Sequence, residues 1–506
     1  MRAHFQMGSS RKIFLNKIYL LKIILFTVLL VYNFLPFKNS IVFTLIAVAY
    51  LFLVSGALLL SRGMMRRPVS TSKARMLGAL NFIFFIFFIP ALALFKPPAE
   101  PYLEYFIVII LLDIFLPFIV ALFLFIITPF VNFQKKKIIK MAKGKIESRK
   151  ENLLVIGVTG SYGKTSTKEF LAELLSNKFK VCKTEENNNT EMGVAKTILE
   201  KLHTNHEILV VEMAAYKKGE IKRICDIVRP SIGILTGIGT QHFALFGSQE
   251  NIIKAKYELI ESLPEKGLTI FNGDSNFFLE VFKKTKKPKK FYSLNNPRAS
   301  LYAKNIREFE NRVEFTVCGG GEEAEFRANL MGKQNIPNIL AALLVVQELG
   351  MKIGENRTKE IVQSLKPFPR TMELRAGVNG IKIIDDSYSG NFEGVISALN
   401  YLKNYQDYKK MIVLYPLIEL GVVARDVHIK IGRKIGGICD FCILTNNDFA
   451  KEIKSGAIEA GLEEQNIKII EKPSEAVKQI KNLARKGDVV LLENRVPDEI
   501  IKSLVV

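Results

Sequence analysis

In a chain of 506 residues, 71 lysines and arginines face 49 acidic residues, a formal net charge of +22, and 49% of all residues are hydrophobic. That length leaves room for about three domains. The basic excess raises nucleic acid as a ligand, but there is no Trp, no zinc-finger spacing and no interleaving of aromatic with basic residues. The charge gathers beside apolar runs or scatters over lysines such as Lys283, Lys284, Lys286, Lys287, Lys289 and Lys290, so nucleic acid is set aside as a partner.

The first 135 residues hold four apolar runs, at about 13–35, 41–61, 76–96 and 103–132, each near the roughly 20 residues that cross a bilayer. A secretory signal peptide accounts for the first run only. Basic residues flank the start (Arg2, Arg11, Lys12, Lys17), fill the middle loop (Arg62, Arg66, Arg67, Lys73, Arg75) and follow the last run (135–137). The two other loops carry one lysine each, Lys38 and Lys96. The positive-inside rule then predicts a multi-pass integral membrane protein with both termini and its soluble part on the cytoplasmic side. The juxtamembrane clusters would draw anionic headgroups at about 1 kcal/mol per basic residue. A buried helical domain with two long hairpins is the competing reading. Asp113 and Asn81 fall inside the fourth and third runs. An intramembrane acid is a functional candidate by default, and helix packing near the membrane surface is the plainer role.

A charged amphipathic connector follows, a basic linker at 136–150. After it, four apolar residues (Leu153, Leu154, Val155, Ile156) lead into Gly157-Val158-Thr159-Gly160-Ser161-Tyr162-Gly163-Lys164-Thr165, and 167–175 reads as a helix. Strand, glycine turn and helix N-terminus together make a phosphate-binding loop, with backbone N–H groups converging where a phosphate chain sits. The candidate ATP-binding residues are Gly160, Ser161, Gly163, Lys164, Thr165 and Ser166. Lys164 would reach the β- and γ-phosphates, and the Thr165 hydroxyl would hold magnesium. The usual spacing wants glycine at 158, where this chain has Val158; its glycines at 157, 160 and 163 mark a subclass of ATP enzyme.

Downstream, short apolar strands alternate with helical patterns, which predicts a parallel α/β architecture. Strands are expected at 153–158, 208–212, 232–236, 268–271, 381–385, 411–415, 441–444 and 489–492, several running into Asp, Glu, Thr or Gly as ligand-binding strand ends do. Two prolines in Lys366-Pro367-Phe368-Pro369 end a helix. This divides the soluble part into an ATPase domain at 151–366 and a smaller α/β domain at 367–506. Five cysteines lie in a region expected to be cytoplasmic, where disulfides are not formed. The lone Cys439-Asp440-Phe441-Cys442 reads as strand packing rather than a zinc site.

Three further residues could serve the phosphates. Glu212 ends an apolar strand, well placed to complete a magnesium shell with Thr165. His242 follows the strand at 232–236 in Gly239-Thr240-Gln241-His242, either as a second ligand or as a structural histidine. Lys256 begins a helix, and its plain reading is a solvated lysine.

Taken in order, glycine loop, strand-end Glu, His and helix Lys resemble the Mur ligase family, most closely its members that add D-alanyl-D-alanine to a UDP-N-acetylmuramoyl tripeptide. The likeness covers about 151–506. It continues through 330–342 (Leu330-Met331-Gly332-Lys333-Gln334-Asn335-Ile336-Pro337-Asn338), Pro369-Arg370, Ile384-Asp385-Asp386-Ser387-Tyr388-Ser389-Gly390-Asn391, and Ile418-Glu419-Leu420-Gly421 with His428. The fold it implies is an α-helical membrane region, then a P-loop parallel-sheet central ATPase domain and a smaller Rossmann-like C-terminal domain. It further implies that Thr165 and Glu212 hold one magnesium, that His242 and a carbamylated Lys256 serve a second, and that Asn338 contacts adenine. Asp386 would contact the ribose side of ATP, and Arg370 the γ-phosphate from across the domain hinge. The implied reaction activates a substrate carboxylate as an acyl phosphate and couples it to an amine. Its partners would be ATP, a peptide-bearing cell-wall precursor, and D-alanyl-D-alanine or another amino acid.

The chain departs from the family in three places. The membrane segment stands where soluble members carry a small domain that grips UDP. Phe392 follows Asn391 where proline is usual. Glu493-Asn494-Arg495-Val496-Pro497 replaces a Lys-Gly-Ser-Arg run, a bulkier and more acidic turn beside the incoming amino acid. The acceptor is therefore either UDP-linked or polyprenyl-linked. An amide ligase for another envelope polymer and a non-catalytic ATP-binding scaffold are the alternatives.

Overall fold

The computed structural model describes residues 101–506, apart from 187, 240–242, 276 and 389, together with Met76 and Ala79. The expected runs at 13–35, 41–61 and 76–96 lie outside the described residues except for those two, as do Asn81 and the side chain of Asp113. The chain divides into two units, 1–136 and 137–506.

In the first unit the described element is helix α1 (Pro101–Glu147), which continues to Lys136 and beyond. Its part from Phe118 to Glu147 is long and apolar enough to cross a membrane by length and composition. Phe118, Leu122, Phe125, Ile126, Phe130 and Phe133 are all exposed, a surface that water does not favour.

In the second unit, the segment 136–150, expected as a linker, is helical as far as Glu147. The spacing of Ile138, Ile139, Ala142 and Ile146 explains this, because it makes one helical stripe. Ala142 and Ile146 are buried in a cluster with Ile198, Leu202, Ile227 and Val228. Lys145 and Arg149 then bind carbonyls at the end of the helix Glu191–Lys201 and just after it: Nζ to Leu199 O at 3.2 Å and Nη1 to His203 O at 2.7 Å.

The central sheet has nine strands: β1 (Leu154–Thr159), β2 (Val181–Lys183), β3 (Ile208–Glu212), β4 (Ile232–Leu235), β5 (Leu268–Asn272), β6 (Lys289–Ser293), β7 (Leu301–Glu308), β8 (Val313–Gly319) and β9 (Glu322–Ala328). Their order is β2-β3-β1-β4-β5-β6-β7-β8-β9. Pairing is parallel as far as β7 and antiparallel for β7–β8 and β8–β9. Residues of β1, β3, β4 and β5 are buried on both faces, as parallel strands between helical layers must be. Helices α2 (Lys164–Leu175) and α4 (Ile336–Glu348) supply one layer's core. On the other face α3 (Gln249–Glu261) joins the cluster that takes in the end of α1.

The C-terminal sheet runs β10-β11-β15-β12-β13-β14, with β10 (Glu373–Ala376) antiparallel to β11 (Lys382–Asp386) and the rest parallel: β12 (Lys410–Leu414), β13 (Phe441–Leu444), β14 (Ile467–Ile469) and β15 (Val489–Glu493). Every strand expected from the sequence is present, within one residue at either end. Cys439 and Cys442 are buried in the core of this domain.

Helices α5 (Ala424–Gly436) and α6 (Ala450–Glu459) cross through glycines. A Cβ on Gly432 would stand 2.1 Å from Ile453 O, and one on Gly456 2.2 Å from Ile429 O. Gly432→Ala should therefore cost about 1–3 kcal/mol by overpacking against backbone. Gly437→Ala, which meets nothing nearer than 3.6 Å, should be neutral. Hydrogen exchange of α5 and α6 amides in the full-length protein measures both.

Candidate active site

The phosphate loop sits where β1 hands over to α2. Thr159 closes the strand, and Gly163, at φ 75, caps the helix that opens with Lys164. The segment after β4 clasps the loop: Ser161 N–H donates to Gly237 O at 2.7 Å, Thr236 N–H donates to Thr159 O at 2.9 Å, and the Thr236 hydroxyl donates to Tyr162 O. This clasp explains Gly160, whose Cβ would lie 2.1 Å from Thr236 Oγ1. Lys164 Nζ donates to Ser161 O at 3.4 Å. Burial pushes its ammonium below the ordinary lysine range, against the opposing pull of Glu212. Thr165 is half-buried in the first turn and Ser166 is buried behind it. The Ser161 hydroxyl is buried with no partner among the described residues. An unpartnered hydroxyl, a buried ammonium and the free N–H groups of a helix start fit a polyphosphate.

Glu212 ends β3 in register with Val158 of β1, at the same edge as the loop, and is 5% exposed. Its N–H donates to Thr184 Oγ1 at 3.0 Å, and its Oε1 accepts Asn189 Nδ2 at 3.0 Å. Its Oε2 lies 3.6 Å from the Nζ of Lys168, a fully buried lysine that is also 3.0 Å from Glu169 Oε1. Lys168 and Asn189 were missed in the sequence. Lys168 has a legible signal, since it stands one helical turn after Lys164 on the same face of α2.

Lys256 is not the solvated lysine that its helical position allowed. It is 3% exposed on α3, and its ammonium is pushed down to about 7, by burial first and by the charge of Lys164 second. His242 lies outside the described residues. The chain that follows it is docked on the C-terminal domain: Ala244 N–H donates to Glu419 O at 2.9 Å.

Asn338, on α4, lies against the loop and α2. Its Oδ1 accepts Thr167 Oγ1 at 3.2 Å and would stand 2.5 Å from a Cβ on Gly163. Asp386 ends β11, 9% exposed, with its Oδ1 accepting Met372 N–H at 3.1 Å. It is in register with Glu493 of β15. Burial raises Asp386 to about 7, and burial together with Asp386 raises Glu493 well above the carboxylate range. Glu493 is 1% exposed, so the acidic residue of the 493–497 turn lies inside the fold rather than on its surface. Asn494 takes φ 55, a conformation Asn tolerates, and ties two loops together, accepting Gly390 N–H at 2.9 Å and donating to Tyr415 O at 2.7 Å.

Arg370 donates through Nε to Ser387 Oγ and through Nη1 to Asp498 Oδ1, each at 2.9 Å. Its carbonyl accepts Tyr388 N–H at 3.0 Å. The Tyr388 hydroxyl is raised to about 12 by burial first, then by Glu186 and Glu212. The side chain of Tyr388, on the loop after β11, thus feels the carboxylates of Glu186 and Glu212. Ser397 to Gln334 (3.1 Å) and Tyr401 to Phe309 O (2.9 Å) hold the two domains together. His428 is a packing residue: its ring stacks on Phe449 at 4.4 Å and its Nδ1 lies 2.7 Å from Ala424 O.

The clasp predicts that Gly160→Ala displaces Thr236 and weakens ATP binding by roughly tenfold or more, since overpacking of this kind costs about 1–3 kcal/mol. Titration calorimetry of the variant against wild type checks it, and Gly160→Ala/Thr236→Ala should recover part of the loss.

Residues 158–346 match the profile of the Mur ligase middle domain, and residues 371–493 that of the Mur ligase, glutamate ligase domain. The UDP-N-acetylmuramoyl-tripeptide--D-alanyl-D-alanine ligase of Synechocystis sp. is 31% identical over 341 residues, 67% of this chain and 71% of that protein. Its counterpart from Bacillus subtilis is 29% identical over 355 residues, 69% and 76%. The crystal structure of the MurF ligase from Thermotoga maritima in complex with ADP superposes with a TM-score of 0.64 at 26% identity, over 73% of this chain and 83% of that one. On the sheet orders, the phosphate loop and these matches, the chain belongs to the Mur ligase family, ATP-dependent enzymes that form carbon–nitrogen bonds.

Proposed function

We propose that this chain is a membrane-anchored ligase that activates a carboxylate of a peptide-bearing cell-wall precursor with ATP and couples it to the amine of D-alanyl-D-alanine. The observation that carries the reading is the gathering of Lys164, Glu212 and Lys256, from three different elements, at one edge of the parallel sheet. The names of the Synechocystis and Bacillus relatives supply the substrates. The substrate carboxylate attacks the γ-phosphorus, and the bond to ADP breaks. The amine nitrogen then attacks the acyl carbon, a carbon–nitrogen bond forms, phosphate leaves and the nitrogen loses a proton. Lys164 and Arg370 would offset the charge that builds on the transferring group, with Asn338 and Asp386 on the adenine and ribose sides.

Magnesium, held by Thr165 and Glu212 with His242 and Lys256 at a second ion, would neutralise the phosphate oxygens. Lys256 suits carbamylation, because a buried amine with its basicity lowered to about 7 is substantially uncharged at neutral pH and only the uncharged amine adds carbon dioxide. The carbamate would turn a cation that repels metal into an anionic oxygen ligand. Activity should accordingly rise with added bicarbonate and fall below about pH 7 as the amine protonates. Lys256→Ala should lose at least about a hundredfold in kcat, and short carboxylates such as formate should restore part of it; no rescue and no bicarbonate effect would remove the carbamate from the reading.

For the anchor, the supports are the apolar part of α1 with its exposed phenylalanines, the three apolar runs before it, and the basic loops that favour a cytoplasmic active site. Membrane helices in place of a UDP-gripping domain favour a polyprenyl-linked acceptor. The replaced turn at 493–497 keeps a different amine or envelope polymer as the second reading. A scaffold has no use for a buried Lys256 beside Lys164.

Phosphate release by the purified full-length protein separates these readings, with Mg-ATP, bicarbonate, D-alanyl-D-alanine and either UDP-linked or polyprenyl-linked tripeptide, and products weighed by mass spectrometry. Release with either acceptor, abolished in Lys164→Ala, is the expected result. Silence with both while ATP still binds would move the assignment to another polymer. The protein should stay with the membrane pellet after alkaline carbonate extraction; its release would sink the anchor.

A further inference from the structure

Arg370 is held on one side by buried groups and on the other by an exposed one. Its backbone sits at φ 62, uncommon for a residue with a side chain. It is pinned there, with its N–H donating to Glu373 Oε2 at 3.0 Å and its carbonyl accepting Tyr388 N–H. Ser387 receives the Nε–H of Arg370, and Ser387 is itself fixed. Its hydroxyl and its N–H both donate to Oδ1 of Asp385, which is fully buried at the end of β11. With its only hydrogen given to a carboxylate, the Ser387 oxygen has just a lone pair to offer, so the direction of the bond from Arg370 is set. Arg375 completes the ring, 2.6 Å from Glu373 Oε2 and 3.7 Å from Asp385 Oδ2.

The outer end differs. Arg370 Nη1 donates to Asp498, whose side chain is 71% exposed. An exposed ion pair is weakly held, whereas a guanidinium on a phosphate makes short, charge-assisted bonds. The guanidinium thus has a fixed pivot and an end contact that it can surrender.

We propose that Ser387, anchored on Asp385, is the positioning residue that aims Arg370, and that Asp498 occupies the guanidinium edge until the terminal phosphate of ATP displaces it. This rests on the assignment of Arg370 to the γ-phosphate above. Asp498 is then a competitor of the substrate, and Ser387 decides where the arginine points once the competitor is gone.

The test compares calorimetric affinities of the full-length protein for ADP and for an ATP analogue with a non-hydrolysable terminal phosphate, both with magnesium. Arg370→Ala should lower the preference for the triphosphate by at least about tenfold, the rest being kept by Lys164. Ser387→Ala should lower that preference by about tenfold without changing ADP affinity, and Ser387→Thr, which keeps the hydroxyl, should restore it. Asp498→Asn should raise the preference by about threefold at low salt and less at high salt. If Ser387→Ala weakens both nucleotides equally, the serine is structural, and if Asp498→Asn lowers the preference, the acid is not a competitor. Loss in Arg370→Ala with no change in Ser387→Ala overturns this inference alone. An undiminished preference in Arg370→Ala overturns the γ-phosphate assignment beneath it.

Discussion

Buried positive charge at one edge of the central sheet governs this site. Lys164, Lys168 and Lys256 approach it from α2 and α3, and burial depresses the first and last of them. Glu212 and Glu169 answer that charge only in part, and Glu169 is also claimed by Lys183. Ammonium groups out of water are costly unless an anion joins them. A polyphosphate supplies that anion, and the helix start supplies N–H donors beside it. The fold tolerates the strain because β1, β3 and β4 are locked in parallel register by apolar side chains buried on both faces.

The C-terminal domain reaches the same edge through loops rather than through buried charge. Its contributions, Arg370, Ser387 and Tyr388, stand on the turn after β11 and on the chain entering β10. Bonds that join the domains include Ala244 to Glu419, Ser397 to Gln334, Tyr401 to Phe309 and the ion pair of Lys382 with Glu310, and Met331 packs into the C-terminal core. At Asn494 an asparagine takes the left-handed turn after β15 and uses its amide to brace two neighbouring loops.

Much of this was legible in the chain. The parallel strands announce themselves as apolar runs ending in polar residues, and the glycine loop fixes the nucleotide edge by spacing alone. The strands that the sequence does not announce are of another kind. β2 and β14 are three residues long and β10 four, β6 opens with two lysines, and β7, β8 and β9, the antiparallel extension of the sheet, mix polar with apolar residues. Local pattern also could not say that Lys256 is buried, because nothing in a helical lysine's neighbours along the chain reveals what packs across from it. The same holds for Glu493, acidic in sequence and buried in the fold. The amphipathic character of the connector at 136–150 lies in the stripe of Ile138, Ala142 and Ile146, which the helix carries as far as Glu147.

The pairing of Asp386 with Glu493 reaches beyond the nucleotide. Both carboxyls bind protons more tightly in the folded chain than in the unfolded one, so the folded state carries the excess of protons as the pH rises from about 4 towards 7. The contribution of this pair to stability then declines across that interval, opposite in sign to that of Glu373 on β10, whose carboxyl is held below its usual range. In mild acid the two facing carboxyls of β11 and β15 repel one another less than at neutrality.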